Sequence, residues 1–196
     1  PSTCTEVIGD RIFGFGHPFN NEGPIALPVG GGEIHGVIAN LMTSFKLGAL
    51  GKTWGTLYAD EQVGVAGKLG ATPPMIPIDL DVRYTDGSGE RKYAFKSAWH
   101  PRFTPLLSAA AFAAAVTGVH DLPEYHTLDY KVTVEFENGQ KVKLANKLVN
   151  ASMPELFFEI GTPMIAASQN PFEQVSVKNV SGTVNVTPVA RDATIL

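Results

Sequence analysis

The chain has 196 residues, of which 44% are hydrophobic and 17% charged, and its formal net charge is −4. This length predicts one large domain or two small ones, and the hydrophobic content excludes a disordered chain. The acidic balance argues against a nucleic-acid-binding protein, and no apolar run approaches the roughly 18 residues of a membrane-spanning helix.

Side chains that bind metals are sparse in this sequence. Cys4 is the only cysteine, which excludes an internal disulfide and a multi-cysteine metal site. The histidines show neither the spacing of two ligands on one helix nor that of two histidines with a carboxylate. They are His17, His35, His100, His120 and His126. The sequence therefore predicts no metal and no cofactor.

Short strands joined by glycine turns are predicted in the first part of the chain. Residues 3–8 and 11–15 are rich in strand-forming side chains, and Gly9-Asp10 between them is a two-residue hairpin signal. Because Pro18 restricts the preceding residue to an extended conformation, the second strand is expected to end at His17.

Glycines and acidic residues mark the next predicted turns. Gly30-Gly31-Gly32 predicts a flexible turn, after which residues 33–41 favour a strand. A hairpin is then predicted over residues 54–67, with Asp60 and Glu61 in its turn.

The middle of the chain predicts a hairpin followed by a helix. Residues 75–84 alternate apolar and polar side chains, Asp86-Gly87-Ser88-Gly89 predicts a turn, and residues 91–98 return. Thr104-Pro105 then supplies an N-cap and a proline at the first helical position. The alanine-rich residues 106–116 predict a helix that packs closely against a sheet.

The last part of the chain repeats this plan. Residues 128–136 and 141–148 predict a hairpin on Asn138-Gly139, the strongest hairpin signal in the sequence. Ser152-Met153-Pro154-Glu155 has the pattern of a capping box that opens a helix.

The remaining residues predict where that helix ends, and they complete the fold class. Gly161 is expected to interrupt the helix, Thr162-Pro163 to restart it, and residues 173–189 to form further strands. A hairpin plus a helix thus occurs twice, at roughly 75–117 and 128–168. The predicted fold class is mainly β with two or three α-helices.

His17 carries the clearest chemical signal. It follows two glycines, precedes a proline and lies at a predicted strand end, where a rigid sheet presents side chains to a cleft. A histidine in such a place can act as a general base. The alternative is a structural histidine that hydrogen-bonds the following turn.

Asp60 is the candidate carboxylate partner, because an acid that orients a histidine often comes from a separate loop. The alternative is an ordinary solvated aspartate of a turn, an interpretation that applies equally to Asp10 in its Gly-Asp hairpin. The sequence alone leaves both interpretations of Asp60 open.

No serine of the chain has the sequence surroundings of a nucleophile. Gly-x-Ser-x-Gly does not occur, and Ser88 between two glycines is explained by its turn. Cys4 lies in a predicted strand, where a small buried side chain is expected rather than a nucleophile.

The segment around His17 also carries a family resemblance. It consists of Gly9-Asp10-Arg11-Ile12-Phe13-Gly14-Phe15-Gly16-His17-Pro18-Phe19, and it continues in Thr43-Ser44-Phe45-Lys46-Leu47-Gly48, Gly55-Thr56-Leu57 with Asp60, Gly64-Val65-Ala66-Gly67 and Met75-Ile76-Pro77-Ile78. On these residues the chain resembles the SpoIVB-type serine peptidase family, and most closely its large envelope-type bacterial members. The resemblance covers residues 1–85 and extends more loosely to about 175, where Asn170-Pro171-Phe172 fits it.

The resemblance implies a serine endopeptidase of trypsin-like architecture that uses a His–Asp–Ser set. It implies that His17 is the catalytic histidine, and it places Asp60 at a recurring aspartate of the family. The family's Gly-x-Ser-Gly-x-Pro motif is absent from this chain. The nucleophilic serine is therefore expected in a segment upstream, and the isolated chain is expected to be inactive.

The resemblance also implies an organisation and a setting. Residues 1–175 would form the peptidase-like domain, subdivided near 72 and 124, with half of a trypsin-like β-barrel followed by hairpin–helix units; residues 176–196 would begin a following β segment. The expected partner is a polypeptide substrate or an upstream segment of the same protein, in the bacterial periplasm or cell envelope. The alternative function is a non-catalytic β-rich structural or interaction module of a bacterial envelope protein.

Overall fold

The computed structural model describes residues 3–40, 42, 44–119, 121–173 and 175–191, without the side chain of Leu50. It contains two five-stranded sheets and two helices, which confirms the predicted mainly β class with two or three α-helices. The chain divides into two compact units, Pro1–Pro74 and Met75–Leu196. Within the described ranges, no helix combines the length and apolar character needed to cross a membrane.

The first unit is built on one antiparallel sheet. Its strands are β1 (Cys4–Ile8), β2 (Arg11–Gly14), β3 (Gly23–Ile38), β4 (Phe45–Glu61) and β5 (Gly64–Leu69), in the spatial order β1-β2-β5-β4-β3. Gly14 at the end of β2 and Asp60 near the end of β4 both pair with Val65 on β5, from its two sides. This register brings the segment after β2 close to Asp60.

The glycine triplet at residues 30–32 forms no turn, contrary to the prediction, because it lies inside β3. A Cβ atom on Gly30 would collide with the backbone of Lys52, and one on Gly31 would collide with the ring of Trp54. The register between β3 and β4 also shifts at this point, as at a β-bulge. These glycines therefore allow two strands to approach closely.

The second unit contains the two predicted hairpin–helix pairs and a final strand. Its elements are β6 (Met75–Tyr84), β7 (Gly89–Ala98), α1 (Phe103–Val116), β8 (Thr127–Phe136), β9 (Lys141–Val149), α2 (Met153–Ser168) and β10 (Val177–Thr187). The sheet order is β7-β6-β10-β8-β9, with β10 parallel to β6 and antiparallel to β8. Strand β10 lies within residues 176–196, which the sequence suggested as the start of a following β segment. It forms the central strand of this sheet.

The core of the second unit lies where the sheet and the two helices meet. Alternation in β6 correctly predicts its buried face, and the same face of β8 is buried. The helices add alanines and Phe112 from α1, and longer aliphatic side chains from α2. Core residues from these four elements include Ile78, Leu80, Val82, Leu128, Val132, Phe112, Ala113, Leu156 and Ile160.

Helix α1 begins at Phe103, before the predicted cap Thr104. The hydroxyl of Thr104 instead donates a 3.0 Å hydrogen bond to the carbonyl of Ala98 and accepts one of 2.8 Å from the N–H of His100. Thr104 therefore joins the end of β7 to the helix, and the predicted N-cap role is wrong.

Helix α2 begins as predicted but has no break at Gly161. The capping box of Ser152 and Glu155 is present, but the helix continues without a break through Gly161 and Pro163. A Cβ atom on Gly161 would lie 3.3 Å from the Cβ atom of Ala109 on α1. The expected interruption at Gly161 is therefore wrong, because this glycine serves close helix–helix packing.

Candidate functional site

His17 lies on an exposed bend that follows β2. The strand ends at Gly14, and Phe15 and Gly16 then have φ angles of 77° and 74°. The N–H of Gly16 donates a 3.1 Å hydrogen bond back to the carbonyl of Gly14. A positive φ costs a residue with a side chain about 1 kcal/mol or more, and such strain is concentrated at functional sites.

The imidazole of His17 is exposed and is held from one side. Its Nδ1 atom lies 2.7 Å from the carbonyl oxygen of Pro18. Because a carbonyl can only accept, Nδ1 donates, and Nε2 of the neutral ring is the unprotonated nitrogen. No described hydrogen bond reaches Nε2 within the ranges given above. The contact with Pro18 is that of a structural histidine, whereas the free Nε2 is what a general base requires.

Asp60 lies within β4, since the hairpin turn falls at residues 62–63. It is buried, with 1% of its surface exposed, so the solvated-turn interpretation is wrong. Its Oδ1 atom accepts a 2.6 Å hydrogen bond from the N–H of Phe19. Its Oδ2 atom accepts from the N–H groups of Asn20 at 2.7 Å and Glu22 at 3.3 Å.

The surroundings of Asp60 keep it ionised. Burial of the carboxyl raises its pKa, but backbone hydrogen bonds lower it by more, so the pKa of Asp60 lies below the ordinary 3.8. The donors are the N–H groups of Asn20, Phe19, Glu22 and Asn21. The negative charge of Asp60 is thus met by the backbone of the segment that begins at His17.

Residues 17–22 form what we call the histidine loop. The structure brings Asp60 to this loop, with both carboxylate oxygens engaged by its backbone. Among the described contacts, none joins Asp60 to the imidazole of His17. Asp60 therefore braces the backbone that carries the histidine.

An apolar groove of about 360 Å³ lies in the first unit. Phe13, Phe15, Trp54 and Leu57 contribute to its lining. The centroid of the Phe15 ring is 5.4 Å from that of His17, so the groove reaches the neighbourhood of the imidazole. A concave apolar surface beside a few polar groups is the usual form of a ligand site.

Of the other candidates from the sequence, Ser88 lies in a turn and Cys4 contributes to the lining of the apolar groove. Ser88 lies in its predicted turn, where its N–H donates a 2.8 Å hydrogen bond to Asp86. Cys4 is exposed, so the expectation of a core position is wrong. His120 lies outside the described residues. In the described part of the chain, no group of three or more His, Cys, Asp or Glu side chains is placed to hold a metal ion.

A second polar cluster, which the sequence analysis missed, lies in the second unit. The Tyr130 hydroxyl donates a 2.5 Å hydrogen bond to Oε1 of Glu159, and Nδ2 of Asn146 donates one of 2.8 Å to the same oxygen. Burial, the hydrogen bond to Glu159 and its charge raise the pKa of Tyr130. The Asn138-Gly139 turn implies the pairing of Tyr130 with Asn146, but only the packing of α2 adds Glu159.

Comparisons with protein-family models, curated proteins and solved structures found no match to this chain. The resemblance at the histidine segment therefore has no independent support.

Proposed function

We propose that this chain supplies the general-base part of a serine endopeptidase, with His17 as the base and the nucleophilic serine outside the chain. The main support is the 2.7 Å contact between Nδ1 of His17 and the carbonyl of Pro18. It fixes the tautomer in which Nε2 is the proton acceptor, and the exposed ring makes that atom accessible.

In the proposed reaction, Nε2 of His17 takes the proton of the serine hydroxyl while the serine oxygen attacks the peptide carbonyl carbon. The imidazolium then gives that proton to the leaving amine as the C–N bond breaks, and an acyl-enzyme remains. Water hydrolyses the acyl-enzyme with His17 again as the base. Throughout the cycle the carbonyl of Pro18 accepts the Nδ1 proton and holds the ring in place.

Asp60 is a positioning residue in this proposal. Its buried carboxylate binds the backbone of Phe19 and Asn20, directly after the His17-Pro18 pair. Because both of its oxygens are engaged, Asp60 acts on the imidazole through the histidine loop. The resemblance places a recurring aspartate at this position, and the bracing contacts give that aspartate a physical role.

A second candidate function rests on the apolar surface of the first unit. Among its described residues, only Leu27 and Val65 are buried hydrophobic side chains, against 23 in the core of the second unit. Its exposed large hydrophobic side chains are Val7, Ile8, Phe19, Ile34, Val37, Ile38, Met42, Phe45, Leu47, Trp54, Tyr58 and Val63. An apolar surface of this kind marks contact with another polypeptide, which favours a non-catalytic β-rich interaction module.

Fluorophosphonate labelling distinguishes the two candidates. The protein to test is the longer polypeptide in which the proposal places the serine, as wild type and as His17→Ala. Removal of a general base lowers reactivity about 10²–10⁴-fold, so labelling should be lost in the variant. His35→Ala, at another exposed histidine of the first unit, is the matched control and should label normally.

Two results of this experiment would contradict the peptidase proposal. Labelling that survives His17→Ala, or its absence from the wild type, would overturn the peptidase proposal and favour the interaction module. The 196-residue chain alone should show no labelling in either form, because its sequence lacks the nucleophile motif.

A further inference from the structure

A groove of about 710 Å³ lies between β9 and α2 in the second unit. We propose that it binds an extended, arginine-containing polypeptide segment, which adds to β9 as a further strand. This inference concerns the second unit alone and does not depend on the function proposed for His17.

The backbone of β9 provides the first part of the site. In the sheet order β7-β6-β10-β8-β9, this strand is at the edge, and among the described strands it pairs with β8 alone. An edge strand presents a row of unpaired N–H and C=O groups along its free side. A groove between such an edge and a helix suits strand addition, in which main-chain hydrogen bonds supply affinity.

Two glutamates on α2 give the groove its charge. Glu155 and Glu159 both line it, and their i, i+4 spacing places them on one face of the helix. Lys143 is the basic residue of the lining, so two acidic residues outweigh one basic residue there. The occupant is therefore expected to carry positive charge.

Both glutamates are fixed through one oxygen each. The N–H and hydroxyl of Ser152 donate to Oε2 of Glu155 at 2.6 and 2.7 Å, which keeps the pKa of this carboxyl below 4.5. Tyr130 and Asn146 donate to Oε1 of Glu159. Within the described residues, the second oxygen of each carboxylate receives no hydrogen bond, so both remain available to a ligand.

The side chains around these carboxylates favour arginine over lysine. Phe158 lines the groove and is 61% exposed, so its ring is open to a ligand. A guanidinium group donates several hydrogen bonds to carboxylates and stacks on aromatic rings, whereas an ammonium group is a compact point charge. Leu144 and Leu148 of β9 add apolar lining for alternate residues of the added strand.

A second copy of the chain fits this edge poorly. Lys141, Lys143 and Lys147 lie on one face of β9, and two such strands in antiparallel pairing would bring these lysines together. Lys141 and Lys147 are already engaged in ion pairs with Glu135 and Asp129 of β8. A basic segment from another polypeptide meets Glu155 and Glu159 without that repulsion when its arginines face α2.

Peptide binding to the 196-residue chain tests the proposal by fluorescence anisotropy. A peptide that alternates arginine and valine over the length of β9 is expected to bind, and one that alternates glutamate and valine is not. N-methylation of the arginine peptide along one edge should weaken its binding about tenfold or more, because the added strand loses its donors. Equal binding of the two charge types, or no effect of N-methylation, would overturn the proposal.

Variants locate the binding site. Glu159→Gln keeps an acceptor for Tyr130 and Asn146 but removes the charge, and it should weaken arginine-peptide binding about threefold to fivefold. Lys143→Ala should tighten binding about twofold. The control Glu124→Gln makes the same charge change at an exposed residue outside the groove lining and should have no effect. Unchanged binding in both groove variants, or self-association in place of peptide binding, would contradict the inference.

Discussion

The Oδ1 atom of Asp60 accepts a 2.6 Å hydrogen bond from the backbone N–H of Phe19, which ties the end of β4 to the histidine loop. Val65 on β5 pairs with both Asp60 and Gly14, so the sheet sets the distance that this hydrogen bond spans. The placement of His17 therefore depends on one buried charge and on the sheet register beside it.

Replacement of that charge should loosen the histidine loop. We expect Asp60→Asn to lower the free energy of unfolding by about 2 kcal/mol, because charge-assisted hydrogen bonds are lost and an amide donor faces backbone donors. Urea denaturation measures the loss, and hydrogen exchange should quicken at Phe19, Asn20 and Glu22. Asp10→Asn, in an exposed 3.5 Å ion pair with Lys68, is the control and should change stability by less than about 1 kcal/mol.

The same carboxylate should make stability depend on acidic pH. Because folding lowers the pKa of Asp60 below 3.8, its contribution is present above that pH and is lost as the pH falls through the folded-state pKa. The unfolding free energy, followed downward from neutral pH, should therefore decrease below about pH 4. The decrease should be smaller in Asp60→Asn, and equal acid dependence of the two proteins would argue against the bracing role.

Gly55 tests how closely β4 and β5 approach. A Cβ atom at this position would collide with the backbone of Lys68 and Leu69, which cannot move without separating the strands. We expect Gly55→Ala to destabilise the first unit by about 3 kcal/mol, measured by thermal unfolding. Gly36→Ala is the control, since nothing lies within 4 Å of its added methyl group. Similar melting of the two variants would contradict the strand register.

Tyr84 tests the contact between β6 and the end of α1. Its hydroxyl lies 3.2 Å from the carbonyl oxygen of Ala115 and 3.0 Å from that of Val116, which belong to the last helical turn. Terminal carbonyls have no partner within their own helix. Tyr84→Phe should therefore lower the unfolding free energy by about 1 kcal/mol. Tyr125→Phe, at a residue that is 60% exposed, should leave it unchanged.

Alkaline pH should reduce the contribution of Tyr84 to the free energy of unfolding. Burial raises the pKa of Tyr84 to about 12, with further contributions from Tyr93. The folded state thus retains a proton that the unfolded state releases near pH 10, and stability falls as the pH rises above that value. The difference between wild type and Tyr84→Phe should therefore shrink between pH 10 and 12; a constant difference would show that Tyr84 does not titrate with folding.

The alternation of apolar and polar residues was sufficient to predict a strand where one face of that strand packs against the core. The alternation over Met75–Tyr84 predicted β6 and its buried face, because each apolar side chain has the same environment. It failed at residues 30–32, since the freedom of glycine suits both a turn and a close strand approach. Trp54 on the neighbouring strand decides between the two, and no local signal shows that pairing.

The sequence identified residues of the candidate site but did not predict the contacts that they make. The sequence singled out His17 and Asp60, yet it placed Asp60 in a hairpin turn and left open whether its carboxylate was solvated, because its partners in the histidine loop lie across the sheet. Likewise, the hairpin register implies that Tyr130 faces Asn146, whereas Glu159 reaches them only through the packing of α2. Long-range partners of this kind have no signature in local spacing.

The tautomer of the His17 imidazole is the most direct test of the central claim. Long-range ¹H–¹⁵N correlation NMR on the 196-residue chain, at a pH where the ring is neutral, shows which nitrogen carries the proton. We expect the proton on Nδ1 and an unprotonated Nε2, because the carbonyl of Pro18 accepts from Nδ1. A proton on Nε2 would leave no base facing solvent and would contradict the claim.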